Sequence, residues 1–85
     1  MSKVELYTKP TCGFCHMAKR LLKSKGINFS ETNISAQPDK RPEMIQRSNG
    51  GRTVPQIFIN GTHVGGCDDL MALESNGKLD AMLAA

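Results

Sequence analysis

The sequence predicts an α/β fold, a four-stranded mixed sheet flanked by helices, in a single domain spanning residues 1–85. Three observations predict it. Segments with period-two apolar alternation take turns with segments whose apolar residues recur at helical spacing, the pattern of strands joined through helices. Asn60-Gly61 lies between two β-rich runs, a strong two-residue hairpin signal that makes the last two strands antiparallel neighbours. The 85-residue length leaves room for one small core, because a chain of this size buries little more than roughly 60% of its extended surface.

Taken in order, residues 4–7 (VELY) alternate and are β-rich, a first strand, and Pro10 breaks regularity in the loop that follows. From 13 to 25 the apolar positions Phe14, Ala18, Leu21 and Leu22 keep helical spacing, and Gly26 is placed to end that helix. Residues 27–34 (INFSETNI) resume alternation as a second strand, parallel to the first because a helix joins the two by a right-handed crossover. QPDKRPEMIQRSN holds a shorter helix, with Pro42 tolerable only in its first turn and Asn49, Gly50 and Gly51 closing it. PQIFIN and THVGG are the hairpin strands. CDDLMALESN reads as a helix with acids in its first turn, stopped at Gly77, and KLDAMLAA adds a last turn or two.

Composition is that of an ordinary globular chain, with 39% hydrophobic and 22% charged residues and a net charge of +3. The Lys and Arg residues are scattered, without a dense run or interleaved aromatics, which argues for solvated helix faces and against nucleic acid. MSKVELYTK has no apolar signal core, and no apolar run has the length of a membrane span, so a cytoplasmic protein without membrane association is expected. Cytosolic thiols are kept reduced, and disulfides formed there are usually transient and catalytic. The odd number of cysteines, at positions 12, 15 and 67, excludes a scaffold stapled throughout by disulfides.

Cys12, Cys15 and His16 admit three chemistries: a redox dithiol, half of a zinc site, or a C-x-x-C-H haem attachment. Haem attachment needs an export route, for which no signal is seen, and a small haem protein is not ordinarily a β-α-β sheet. Structural zinc needs four ligands, usually in two spaced pairs, and only His16, His63 and Cys67 remain to supply them. A dithiol fits better. Cys12 falls at the start of the first helix, where the free N–H groups of residues 14 and 15 and the helix dipole stabilise a thiolate, and Lys9 acts in the same direction. Cys15 lies one turn along on the same side, within reach of a disulfide and less exposed. Cys12 is therefore read as the attacking thiol and Cys15 as the resolving one. A C-x-x-C after the first strand of a β-α-β pattern is the cue for a thioredoxin-like redox fold. His16 and His63 are placed on a helix surface and a hairpin edge, with no role required.

Two further stretches carry chemistry. In TVPQ (53–56), Pro55 stands at a strand start; a trans turn proline is the commoner reading, whereas a cis bond would turn the Val54 backbone outward to pair with an extended peptide. In GGCDDL (65–70), small residues open a helix whose N–H groups can meet a carboxylate, with Asp68 or Asp69 available to an ammonium; a plain acidic helix cap explains the same residues.

In combination, YTKPTCGFC, TVPQIFI and GGCDDL resemble the glutaredoxin family, in order, at suitable spacing and over nearly the whole chain; the short bacterial dithiol type is the nearest form. The resemblance implies a cis Val54-Pro55 bond, glutathione as reductant, and glutathionylated or disulfide-containing proteins as substrates. It implies Cys12 as nucleophile and Cys15 as resolving thiol. Thr53, Val54 and Pro55 would meet the glutathione backbone, and Gly66, Cys67, Asp68 and Asp69 its γ-glutamyl end. Lys9 would face the glycyl carboxylate, with Arg52 a second candidate, and Phe14 would flank the tripeptide.

One departure is internal to the motif: the common dithiol form has Pro-Tyr between the cysteines, and this chain has Gly13-Phe14. Gly-Phe is typical of monothiol relatives that bind [2Fe–2S] clusters, although those carry serine at the position of Cys15 and an insertion that is absent before this motif. The alternative function is therefore a cluster carrier, with Cys12 from two chains and two glutathiones as ligands. The reductase is expected to be a monomer, and only a cluster-bound form a dimer.

Overall fold

The computed structural model describes residues 2–85. Strand β1 (Val4–Thr8) leads into helix α1 (Gly13–Ser24) and strand β2 (Ser30–Asn33); a 3-10 turn (Pro38–Lys40) runs into helix α2 (Arg41–Arg47). Strands β3 (Gln56–Ile59) and β4 (Thr62–Gly65) follow, then helices α3 (Cys67–Ser75) and α4 (Leu79–Ala84). The sheet order is β2-β1-β3-β4, with β1 parallel to β2 and antiparallel to β3, and β3 antiparallel to β4. This is the expected four-stranded mixed sheet.

Strand alternation sorts the core into two layers. Val4, Leu6, Ile57 and Ile59 face α1, α3 and α4, where they bury Ala18, Leu22, Cys67, Leu70, Leu79 and Leu83. Tyr7 and Phe58, on the other face, meet Ile34 and Met44 beneath α2. Asn60 (φ 53°) and Gly61 (φ 79°) both lie in the left-handed region, as a tight hairpin turn of the primed kind requires. The turn is tied to Lys3, the residue just before β1, whose N–H donates to Asn60 Oδ1 at 2.8 Å.

The second strand is shorter than its alternation suggests. The Gly26 N–H donates to the Lys23 carbonyl at 3.0 Å and the Ile27 N–H to the Leu22 carbonyl at 3.1 Å, a paired capping arrangement with Gly26 at φ 71°. Ile27 is thus committed to closing α1. It and Phe29 still pack on the core, but ladder pairing begins only at Ser30.

The α2 face carries a charged clamp. The Arg47 guanidinium makes two hydrogen bonds to the Glu5 carboxylate, both at 3.1 Å, donates to Tyr7 Oη at 2.9 Å, and lies 4.2 Å above the Phe58 ring. Tyr7 in turn donates to Glu43. Arg47 holds Glu5 below the ordinary carboxylate range, against the opposing effect of burial. A group whose folded pKa is lowered adds stability above its unfolded pKa and loses it as pH falls through the folded value. Urea midpoints measured from pH 7 down to pH 3 should therefore converge for the wild type and Glu5→Gln, with the wild type ahead only at the upper end.

Candidate active site

Cys12 is the N-cap of α1: its backbone is extended, at φ −119° and ψ 106°, and its sulfur accepts the Cys15 N–H at 3.1 Å. Serine, threonine and aspartate cap helices with the same geometry; a sulfur there places any negative charge on a free helix N–H at the positive end of the dipole. Cys12 and Cys15 are joined as a disulfide, with Cα atoms 5.2 Å apart. Cys12 is half-buried, whereas Cys15 is wholly buried. Only one of the two sulfurs can be approached from solvent.

His16, read from sequence as having no role, donates from Nε2 to the Pro10 carbonyl at 3.0 Å and so pins the loop that carries Cys12.

The Val54-Pro55 peptide is cis. The Val54 carbonyl oxygen lies 3.6 Å from Cys12 Sγ, with Pro55 buried behind it and Thr53 exposed beside it. A short relay supports this loop. His63 Nε2 donates to Gln56 Oε1 at 2.7 Å, and Gln56 Nε2 donates to the Thr53 carbonyl at 2.9 Å. Gln56 is buried, and a buried amide must be partnered on both ends. Gly51 makes space for it: a Cβ there would stand 2.9 Å from Gln56 Nε2. The His63 ring rests 5.1 Å from Phe58. His63 thus has the part that the sequence reading withheld; the available signal was a lone glutamine opening an otherwise apolar strand.

The third stretch is a built helix start. The Gly66 N–H donates to Asp69 Oδ2 at 3.0 Å, so Asp69 caps α3, and Asp68 is exposed at the site. Gly65, buried at φ 119°, lets the chain turn there, and a Cβ on it would come within 2.2 Å of Asp69 Oδ2. Gly65→Ala should displace Asp69 and cost about 1–3 kcal/mol, through the left-handed φ and the lost cap together. Thermal unfolding reads the loss, and Gly61→Ala, at positive φ in open space, separates the strain from the clash. Cys67 is 4% exposed, and burial, helped by the Asp68 charge, pushes its thiol up.

A cleft of about 320 Å3 draws these stretches together, lined by Phe14, Thr53, Val54, Pro55, Gly66, Cys67 and Asp68. Lys9 and Arg52 are exposed and outside the lining; the Arg52 carbonyl accepts a hydrogen bond from Arg41. Asp69 also lies outside, committed to the cap.

Residues 4–64 match the family model described as Glutaredoxin. The chain belongs to the glutaredoxin family. It is 58% identical over 83 residues to glutaredoxin 3 of Escherichia coli K12, covering 98% of this chain and 99% of that one. It is 51% identical over 85 residues to a glutaredoxin of Pseudomonas aeruginosa, covering all of both. Among solved structures, the buckwheat glutaredoxin–glutathione complex matches with a TM-score of 0.90 at 32% identity, over 98% of this chain and 77% of that one. The Brucella melitensis glutaredoxin matches with a TM-score of 0.82 at 54% identity, over 95% and 87%. The fold is thioredoxin-like, and the chain is a bacterial glutaredoxin whose Cys12–Cys15 dithiol serves thiol–disulfide oxidoreductase chemistry. No helix among the described residues is long and apolar enough to cross a membrane.

Proposed function

We propose that this glutaredoxin is a glutathione-dependent oxidoreductase that reduces glutathione mixed disulfides and protein disulfides. One observation carries the reading: a single cleft brings Phe14 at the start of α1, the Thr53–Pro55 loop and the opening of α3 together, and the carbonyl of Val54 in its lining lies 3.6 Å from Cys12 Sγ. The Thr53–Val54 backbone offers an edge to a tripeptide, the Gly66–Cys67 opening suits a carboxylate, and Asp68 suits an ammonium. The buckwheat relative was solved with glutathione. Lys9 and Arg52 remain proposed contacts for the glycyl carboxylate, reaching it as flexible side chains from the rim, and Asp69 acts by shaping the α3 opening.

In the proposed cycle the Cys12 thiolate attacks the glutathione sulfur of a mixed disulfide. The old S–S bond breaks, a Cys12–glutathione disulfide forms, and the substrate leaves as a thiolate that takes up a proton. A second glutathione thiolate attacks that glutathione sulfur, releasing oxidised glutathione and the Cys12 thiolate. With a protein disulfide, Cys12 first bonds one substrate sulfur; the Cys15 thiolate then attacks Cys12 Sγ, expelling the reduced protein and closing the Cys12–Cys15 bridge. Two glutathiones reopen the bridge. The protein is proposed to work as a cytoplasmic monomer.

The test is reduction of the mixed disulfide of glutathione and 2-mercaptoethanol, coupled to glutathione reductase and NADPH. Saturable dependence on glutathione supports the reading, and turnover indifferent to glutathione overturns it. The cluster-carrier alternative has one accessible sulfur per chain to work with, since Cys15 and Cys67 are buried. Cys12 fits such a cluster only as the shared ligand of two chains, and no observation on the described residues favours that over the reductase.

A further inference from the structure

The active-site cleft opens onto a second surface along α1. Phe14, in the cleft wall, is 59% exposed, and Met17 is 46% exposed; these are the large apolar side chains left in solvent among the described residues. Phe14, Met17 and Leu21 are three and four positions apart, so they form one stripe on the helix. Met17 and Leu21, with Met71 of α3, line a shallow groove of about 320 Å3.

The rim of this groove is basic. Arg20 borders it and, with Lys23, lines the adjoining depression. Helix α1 has no acidic residue. Its lysine at 19 is paired with Glu31 at 2.9 Å, and Lys25, its C-cap, is paired with Glu74 and Asp80, but Arg20 and Lys23 make no ion pair among the described residues. At roughly 1.5 Å of rise per residue, Phe14 to Lys23 spans about 14 Å of helix. A chain leaving a disulfide at Cys12 along α1 meets apolar side chains first and unpaired cations next.

We propose that this face docks the protein side of the substrate disulfide. Its occupant is a polypeptide segment with an apolar residue beside the disulfide cysteine and acidic side chains beyond it. The apolar residue covers Met17 and Leu21, while the acids supply direct ion pairs to Arg20, which has none, and to Lys23, whose charge otherwise reaches Glu31 only at a distance. The proposal deepens the reductase reading and rests on Cys12 being the attacking thiol. Complementary charge at an exposed rim acts mainly on encounter and on the rejection of like-charged partners, so it sets which substrates are processed and leaves the sulfur chemistry alone.

The experiment compares two synthetic peptides of equal length, each carrying a glutathione mixed disulfide on one cysteine followed by leucine. One continues with three glutamates and the other with three lysines. For the wild type at low salt, kcat/KM should favour the acidic peptide by about tenfold, and the preference should fade as salt shortens the Debye length. Arg20→Glu combined with Lys23→Glu should reverse it. Met17→Ser should slow both peptides. All three substitutions should leave turnover of the small glutathione–mercaptoethanol disulfide unchanged. Equal kcat/KM for the two peptides, or a preference untouched by charge reversal, overturns the docking surface. A wild type inactive on the small disulfide instead overturns the active-site reading beneath it.

Discussion

Cys12→Ser is expected to abolish turnover of glutathione mixed disulfides, by more than about a thousandfold, while Cys15→Ser retains it. The asymmetry follows from geometry and from the elements involved. A serine at 12 would cap α1 as well as the cysteine does, so the fold should survive, but its oxygen cannot form the S–S bond through which the reaction passes. Position 15 contributes a backbone N–H to the Cys12 sulfur, and that donor remains in Cys15→Ser. The lost function is narrower: without a resolving thiol, protein disulfides stall as mixed disulfides on Cys12 until glutathione frees them. Coupled assays on a small mixed disulfide and on a protein disulfide, run side by side, check both halves. Full activity in Cys12→Ser would refute the assignment.

The second large effect is structural. Phe58→Ala should cost about 3–5 kcal/mol, the range for emptying a buried aromatic site. Phe58 is 1% exposed, meets the Tyr7 ring edge-on at 5.8 Å, and carries the Arg47 guanidinium on its face. A chain of 85 residues has a total stability of about 4–13 kcal/mol at ordinary per-residue values, so this one substitution removes a large share. Urea unfolding measures the loss, and Phe58→Leu should restore most of it. In the fraction that stays folded, His63 loses the ring it rests on. The relay through Gln56 to the Thr53 carbonyl then loosens, and the KM for glutathione should rise more than kcat falls. A loss under about 1 kcal/mol would mean that the α2 layer contributes little.

Local signals carried most of the architecture. Alternation in β1, helical spacing in α1, glycine at position 26 and the Asn60-Gly61 turn each act within a few residues, and the structure agrees with them. The dithiol was equally legible, because a helix start organises a sulfur through its own backbone. What escaped was set by which of several partners a residue takes, some distant in sequence and some near. Arg47 reaches Glu5 across 42 positions, and His63 meets Gln56 because it pairs with Phe58 across the β3–β4 hairpin, two residues from Gln56 on the same face. Asp69 turns back on Gly66, which reads as a cap once the direction of its side chain is known and as a ligand contact before that. Ile27 looked like strand and serves as helix closure. In each case, more than one partner was compatible with the residue's type and spacing.

The burial of Cys67 bears on how the protein ages. Oxidants attack thiolates far faster than thiols, and a sulfur that is both enclosed and held protonated is a poor target. Oxidation is then steered to Cys12, the accessible sulfur of the pair, which Cys15 can restore through the disulfide the two form. A third cysteine at the cleft wall would otherwise open a route to mispaired bridges or to covalent aggregates. Shielding it leaves the reversible pair to take up thiol oxidation, so repeated oxidation of cysteine falls on the part of the molecule that can be reset.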